Sequence, residues 1–123
     1  MKLLCFADTH GNVKLLKKLV KRSKVVDLVI MAGDLTLFED NLNFLLKKLN
    51  SSKKKVLIFA GNHEDEENLK RKIKKFSNLV YFHNKAAKIQ NYVFLGYGGG
   101  GFSLVDSNFR KIATFWFDAR QKP

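Results

Sequence analysis

The chain has almost none of the residues that staple or anchor a small protein. Of 123 residues only one is cysteine, Cys5. A lone cysteine excludes an internal disulfide and a thiolate metal cluster. Its place in the first apolar run predicts a buried thiol acting as a small hydrophobe. Long hydrophobic runs are also missing, and nothing approaches the roughly 20 residues needed to cross a bilayer. The opening "MKLLCFADTH" carries polar residues too early for a secretory signal. These absences predict a soluble, cytoplasmic protein with no membrane partner. Acidic residues are scarce as well: 11 Asp and Glu face 23 Lys and Arg, leaving a net charge of +12. Such a surface can hold nucleic acid through counterion release. The cations are mostly Lys, however, whereas Arg is the residue that forks phosphates and reads bases. A compositional Lys bias explains the charge as well as nucleic-acid binding does, and sequence-specific binding is not expected.

What remains is 46% hydrophobic. That suffices for one compact domain over residues 1–123, and not for two. The apolar residues fall into three strand–helix units. "KLLCFA" has no alternation and predicts a buried strand. In "GNVKLLKKLVKRS", Val13, Leu15, Leu16, Leu19 and Val20 recur at helical spacing, with Lys on the other face and Asn12 as cap. "VVDLVIMAGD" and "DNLNFLLKKLN" repeat the design, the helix burying Leu42, Leu45, Leu46 and Leu49. "KVLIFAGNHE" precedes a helix through Leu69, Ile73 and Phe76, with Glu64 to Glu67 at its positive end. Neighbouring parallel strands are expected over Leu3–Phe6, Leu28–Ala32 and Val56–Ala60. Beyond residue 79, "LVYFH", "AAKIQ" and "YVFLGYGGGG" predict shorter strands, some antiparallel, and a glycine-rich loop. A last helix is expected in "DSNFRKIATFWFDAR", capped by Asp106 or Ser107.

Polar residues gather at the three strand ends. Asp8 and His10 follow the first strand, Asp34 the second, Asn62 and His63 the third. The carboxyl ends of parallel strands share one edge, where ligands bind. Taken singly, Asp8 or Asp34 is explained as a helix cap, Asn62 as a turn residue and His63 as a surface histidine. Together they offer carboxylate, amide and imidazole donors, a set suited to divalent Mn, Fe, Zn or Ni. A carboxylate can bridge two ions, and two ions can clamp a phosphoryl group and activate a water. Gly33 and Gly61 allow tight turns beside the tips.

"DTH" at Asp8 to His10, "GD" at Gly33 and Asp34, and "GNHE" at Gly61 to Glu64 resemble the calcineurin-like metallophosphoesterases in order and spacing. The resemblance implies an α/β fold of β-α-β units within an α/β/β/α sandwich. It implies that Asp8 and His10 bind a first metal, Asp34 bridges both, and the Asn62 oxygen binds the second. His63 would not bind metal but would donate to the scissile phosphate and assist the leaving oxygen. The implied substrate is a phosphate mono- or diester.

The later histidine motifs of that family, including Gly-His-x-His, are absent, and His83 in "VYFHNK" does not match them. The second ion would then have only Asp34 and Asn62. The second sheet would be incomplete, leaving an apolar face and the tail residues Phe115, Trp116 and Phe117 in need of cover. The expectation is therefore an N-terminal part of such a domain, weakly active or inactive alone. The rival expectations are a basic nucleic-acid-binding module with a vestigial site, and one half of a split enzyme. Self-association or a C-terminal partner chain would cover the open face.

Overall fold

The computed structural model describes residues 1–98 and 107–118. Strands β1 (Leu3–Phe6), β2 (Leu28–Met31), β3 (Val56–Ile58) and β4 (Leu79–Tyr81) form one parallel sheet in the order β1-β2-β3-β4. Helices α1 (Val13–Arg22), α2 (Leu42–Asn50) and α3 (Glu66–Ile73) connect them. A hairpin of β5 (Lys85–Ile89) and β6 (Tyr92–Gly96) and a helix α4 (Ser107–Asp118) follow. The three expected parallel strands are present, with β2 and β3 ending slightly early. Backbone bonding continues past their ends, from the Ala32 N–H to the Phe6 carbonyl and from the Phe59 N–H to the Met31 carbonyl. Asp106, Phe117 beyond its place in α4, and the glycines from Gly99 onward lie outside the described residues, as does the expected cap at Asp106.

Strand order here equals chain order. Right-handed crossovers that never reverse direction put every connecting helix on the same face of the sheet. The packing shows this. Leu16 of α1, Leu42, Leu45, Leu46 and Leu49 of α2, and Leu69 and Ile73 of α3 bury against Val29, Met31, Val56, Ile58 and Tyr81. The local signals are the expected ones. The Asn12 Oδ1 accepts the Leu15 N–H at 2.9 Å and starts α1. The Asp65 Oδ1 accepts the Asn68 N–H at 2.8 Å and starts α3, with Glu66 and Glu67 in its first turn. That helix stops at Ile73, and Phe76 packs against the core from the turn beyond it.

On the opposite face the hairpin covers Leu28, Leu57 and Phe82, with Ile30, Phe59, Val80, Ala87, Ile89 and Phe94 packed around them. It does not reach β1. Leu3 is 43% exposed, and Cys5, which sits beside Ile30 in the β1–β2 register, is exposed too. The expected burial of Cys5 is therefore corrected: strand alternation turns it to the uncovered end of this face. In α4, Phe115 is 71% exposed, while Phe109 rests against Tyr97 with ring centroids 5.1 Å apart. Among the described residues no helix is long and apolar enough to cross a membrane.

Candidate metal centre at the strand tips

The ends of β1 and β2 stay zipped after the strands finish. The Asp8 N–H donates to the Gly33 carbonyl at 3.1 Å, His10 to Asp34 at 3.1 Å, and Gly11 to Leu35 at 2.8 Å. This extended ladder places Asp8 and His10 beside Asp34. All three adopt left-handed backbone, with φ of 57°, 45° and 53°. Asp and His tolerate that region better than most residues, so the residue types that carry donor atoms also suit the sharp turn that presents them.

β3 approaches from the other side through Gly61. A Cβ on Gly61 would land on the Asp34 carboxylate, and one on Gly33 would lie 3.1 Å from the Gly61 Cα. Only glycine at both positions lets the β2 and β3 tips meet this closely. The His63 backbone N–H then donates to the Asp34 Oδ1 at 3.1 Å. The Asn62 side chain lies over the same carboxylate. With its nitrogen inward, the amide donates to both oxygens at 3.1 and 2.8 Å. With its oxygen inward, acceptor would face acceptor, an arrangement that a cation between them relieves.

His10, Asp34 and His63 each offer a ligand atom within 4.8 Å of the others. The two imidazoles meet edge to face at 4.9 Å, and Phe38 closes on His63 at 4.6 Å. The His63 Nδ1 is buried without a hydrogen-bond partner. Asp8 stands apart from this cluster: its side chain is 67% exposed, and its Oδ1 lies 3.8 Å from the His10 Nε2. These donors fit a divalent ion. Two imidazoles, a carboxylate and an amide that can turn its oxygen inward make a nitrogen–oxygen set, and the orphaned Nδ1 marks a polar atom in want of a partner.

Sequence reasoning placed Glu64 with the acidic residues at the start of α3. The structure assigns it differently. Glu64 precedes the cap Asp65, is 6% exposed, and serves as a clamp. Its carboxylate accepts the Leu35 N–H at 3.2 Å, the Thr36 N–H at 3.3 Å, the Thr36 hydroxyl at 2.9 Å and the Gly61 N–H at 3.4 Å. It thus ties the β2 loop to the β3 loop on either side of Asp34. Glu39 adds a second tie, accepting from the Asp65 N–H and the Asn68 amide, both at 3.0 Å. The one available signal was positional: an acid immediately before a capping Asp lies outside the helix and needs another purpose.

Beside Asn62 opens a cavity of about 710 Å³, with Asp65, Glu66 and Glu67 along one wall and His83 and Tyr97 on another. His83 follows β4, so it reaches the same sheet edge, and its Nδ1 accepts the Gly98 N–H at 2.9 Å. Tyr81, buried in the helix-side core, has its pKa pushed up to about 12, first by burial and then by the charges of Glu66, Glu67 and Asp65.

A family model described as calcineurin-like phosphoesterase matches residues 1–122. A search of curated proteins found no match. Among solved structures, TT1561 of Thermus thermophilus superimposes with a TM-score of 0.76 at 14% identity, covering 98% of this chain and 64% of that one. A further crystal structure gives 0.75 at 15% identity, covering 99% and 65%. AQ665 from Aquifex aeolicus, titled a protein of unknown function, gives 0.51 at 13% identity, covering 97% and 74%. The chain therefore spans just under two thirds of the length of the first two neighbours.

Proposed function

Because the chain belongs to the calcineurin-like phosphoesterase family, we propose that its strand tips form the hydrolytic centre of a metal-dependent phosphoesterase acting on phosphate mono- or diesters. The observation that carries this is the convergence of Asp34, His10, Asn62 and His63 from three separate strands. Asp8, His10, Asp34 and Asn62 are the ligand set for divalent Mn, Fe, Zn or Ni, two ions in the complete centre. Such ions, when bound, hold phosphoryl oxygens and lower the pKa of water.

The chain's own residues supply the rest. Asp34 has two oxygens and a central position, which suits it to serve both ions. The Glu64 clamp keeps its loop from yielding when charge gathers there. During turnover His63 donates to the phosphate and the departing oxygen. Its half-buried ring packs edge-on against Phe38.

The donor count supports a second element of the proposal, that a C-terminal partner segment completes the second ion's site. The test is hydrolysis of bis(p-nitrophenyl) phosphate with Mn²⁺, by the chain alone and with a segment matching the remaining third of the neighbours. Weak or no turnover alone, and metal-dependent turnover with the segment, are expected. Asp34→Asn should abolish it, since a neutral amide replaces the bridging anion. Absence of turnover in both preparations, or turnover that survives chelation, overturns the reading.

The surface supports a polyanionic partner away from the acidic wall. Lys14, Lys17, Lys18, Lys21 and Arg22 are exposed on α1, which has no acidic residue in its first turn. Nucleic acid bound there would be held without sequence preference, and its affinity would fall steeply with salt. Salt-independent binding, or none at low salt, removes this partner. A cytoplasmic location fits the exposed, unpaired thiol of Cys5, because a reducing compartment keeps such a group free.

A further inference from the structure

We propose that Phe38 is the surface on which the substrate's leaving group lies, so that the chain selects phosphate esters whose departing alcohol carries a flat, uncharged ring. This rests on the reading above that His63 donates to the departing oxygen, and deepens it by naming the substrate class.

Phe38 goes against its local setting. Its side chain is 77% exposed, and the adjoining Leu37 is 49% exposed. Its backbone is left-handed, with φ of 51°, as are those of Glu39 at 65° and Asn41 at 56°. Asn takes that conformation readily, but a bulky residue in it is an outlier. A loop that only joined β2 to α2 would be more stable with glycine or asparagine at position 38. Single apolar side chains on a surface need no explanation. One held in a strained backbone against a histidine of the hydrolytic centre does.

The surroundings hold that strain in place. The Glu39 N–H donates to the Thr36 hydroxyl oxygen at 2.9 Å, and this hydroxyl donates to the Glu64 carboxylate, also at 2.9 Å. The Glu39 carboxylate accepts the Asp65 N–H and the Asn68 amide, both at 3.0 Å. The loop is thus pinned just before and just after Phe38. The Phe38 and His63 rings meet with centroids 4.6 Å apart and 61° between their planes. This contact covers only a small part of Phe38, and the rest is open to solvent. An alcohol that leaves with the oxygen served by His63 emerges beside that open surface. An aromatic face attracts another flat ring by stacking and burial, whichever ring it is. It offers no hydrogen bond or charge to a small polar alcohol. Aryl esters and nucleoside esters share the chemistry that Phe38 would recognise.

The test is calorimetry of the 123-residue chain with Zn²⁺ and two pairs of probes that differ chiefly by a ring. One pair is phenylphosphonate and methylphosphonate. The other is adenosine 5′-monophosphate and ribose 5-phosphate. Inorganic phosphate reports on the metal centre by itself. In at least one pair the ring-bearing probe should bind about fivefold or more tighter, as stacking on one aromatic side chain supplies. The pair with the larger ratio tells an aryl ester from a nucleoside ester. In Phe38→Ala the preference should fall below about twofold, because the stacking face is gone. Phe38→Gly removes ring and strain together, so its melting temperature should equal or exceed that of the native chain. A fall of more than about 4 °C would make the ring a packing residue and overturn the proposal. Equal affinities within both pairs, or a preference that survives Phe38→Ala, overturn it as well. In each of these cases metal-dependent binding of inorganic phosphate leaves the phosphoesterase reading standing. If phosphate and all four probes fail to bind with Zn²⁺ present, both readings fall together.

Discussion

On the helix side of the sheet, Leu16, Met31, Leu46, Val56 and Ile58 are wholly withdrawn from solvent, whereas on the hairpin side Leu3 and Cys5 stay open at the β1 end. Both faces carry apolar side chains, and the strands alone do not tell them apart. The difference comes from what covers them. Three helices wound in one direction span all four strands, but a two-stranded hairpin spans only part of the sheet. A continuous apolar strand thus signals an intention to bury both faces without saying which part of the chain does the burying.

The contrast is broken most strongly by cavity mutations. Leu46→Ala, on the closed face, should lose about 2–5 kcal/mol in urea unfolding, the range for buried Leu truncations. Leu3→Ala, on the open end, should lose less than about 1 kcal/mol. Equal losses would mean that β1 is covered in solution.

Next in size is Gly96→Ala at the end of β6. Any Cβ there runs into the Phe82 ring and carbonyl, so the hairpin must lift from the sheet. The expected loss is about 1–3 kcal/mol, with hydrogen exchange accelerated in β5 and β6 and little changed in β2. Uniform acceleration would show that the two faces unfold as one.

A smaller effect sharpens the comparison through pH. Tyr81 belongs to the helix-side core, and its pKa is raised from 10 to about 12, chiefly by burial. Above pH 10 the unfolded chain sheds this proton while the folded chain keeps it. The contribution of Tyr81 is therefore complete below pH 10 and is lost as pH rises toward 12. Compared with the native chain, Tyr81→Phe should show a shallower decline of stability across that window. Parallel curves would mean that Tyr81 is solvated.

The smallest thermodynamic effect belongs to Cys5. Cys5→Ser should change stability by no more than about 0.5 kcal/mol, and iodoacetamide should alkylate the native thiol without prior unfolding. Protection of the thiol would show that some surface covers the β1 end.

Much of this was legible from residue order. The helical spacing of Leu42, Leu45, Leu46 and Leu49 fixed the buried side of α2, because one stripe meets one core. Asp8, His10, Asp34, Asn62 and His63 could be assigned to one edge, because parallel strands share their direction. What stayed hidden needed distances. The Glu64 clamp depends on two loops meeting 28 and 29 residues apart in sequence. The exposure of Cys5 depends on how far a hairpin reaches, which no local pattern encodes. The company His63 keeps depends on Gly61 letting two tips approach, a tertiary fact carried by a missing side chain.

The left-handed backbone at Asp8, His10 and Asp34 has an evolutionary consequence. Asn and Gly accept that conformation readily, whereas Val, Ile and Thr resist it. A lineage released from selection for metal would therefore drift first through Asn and Gly at these positions. Those changes would remove donor charge while the turns kept their shape. The scaffold could outlast its chemistry by many substitutions, and a copy that had lost its ions would be betrayed by those three residues long before its fold gave any sign.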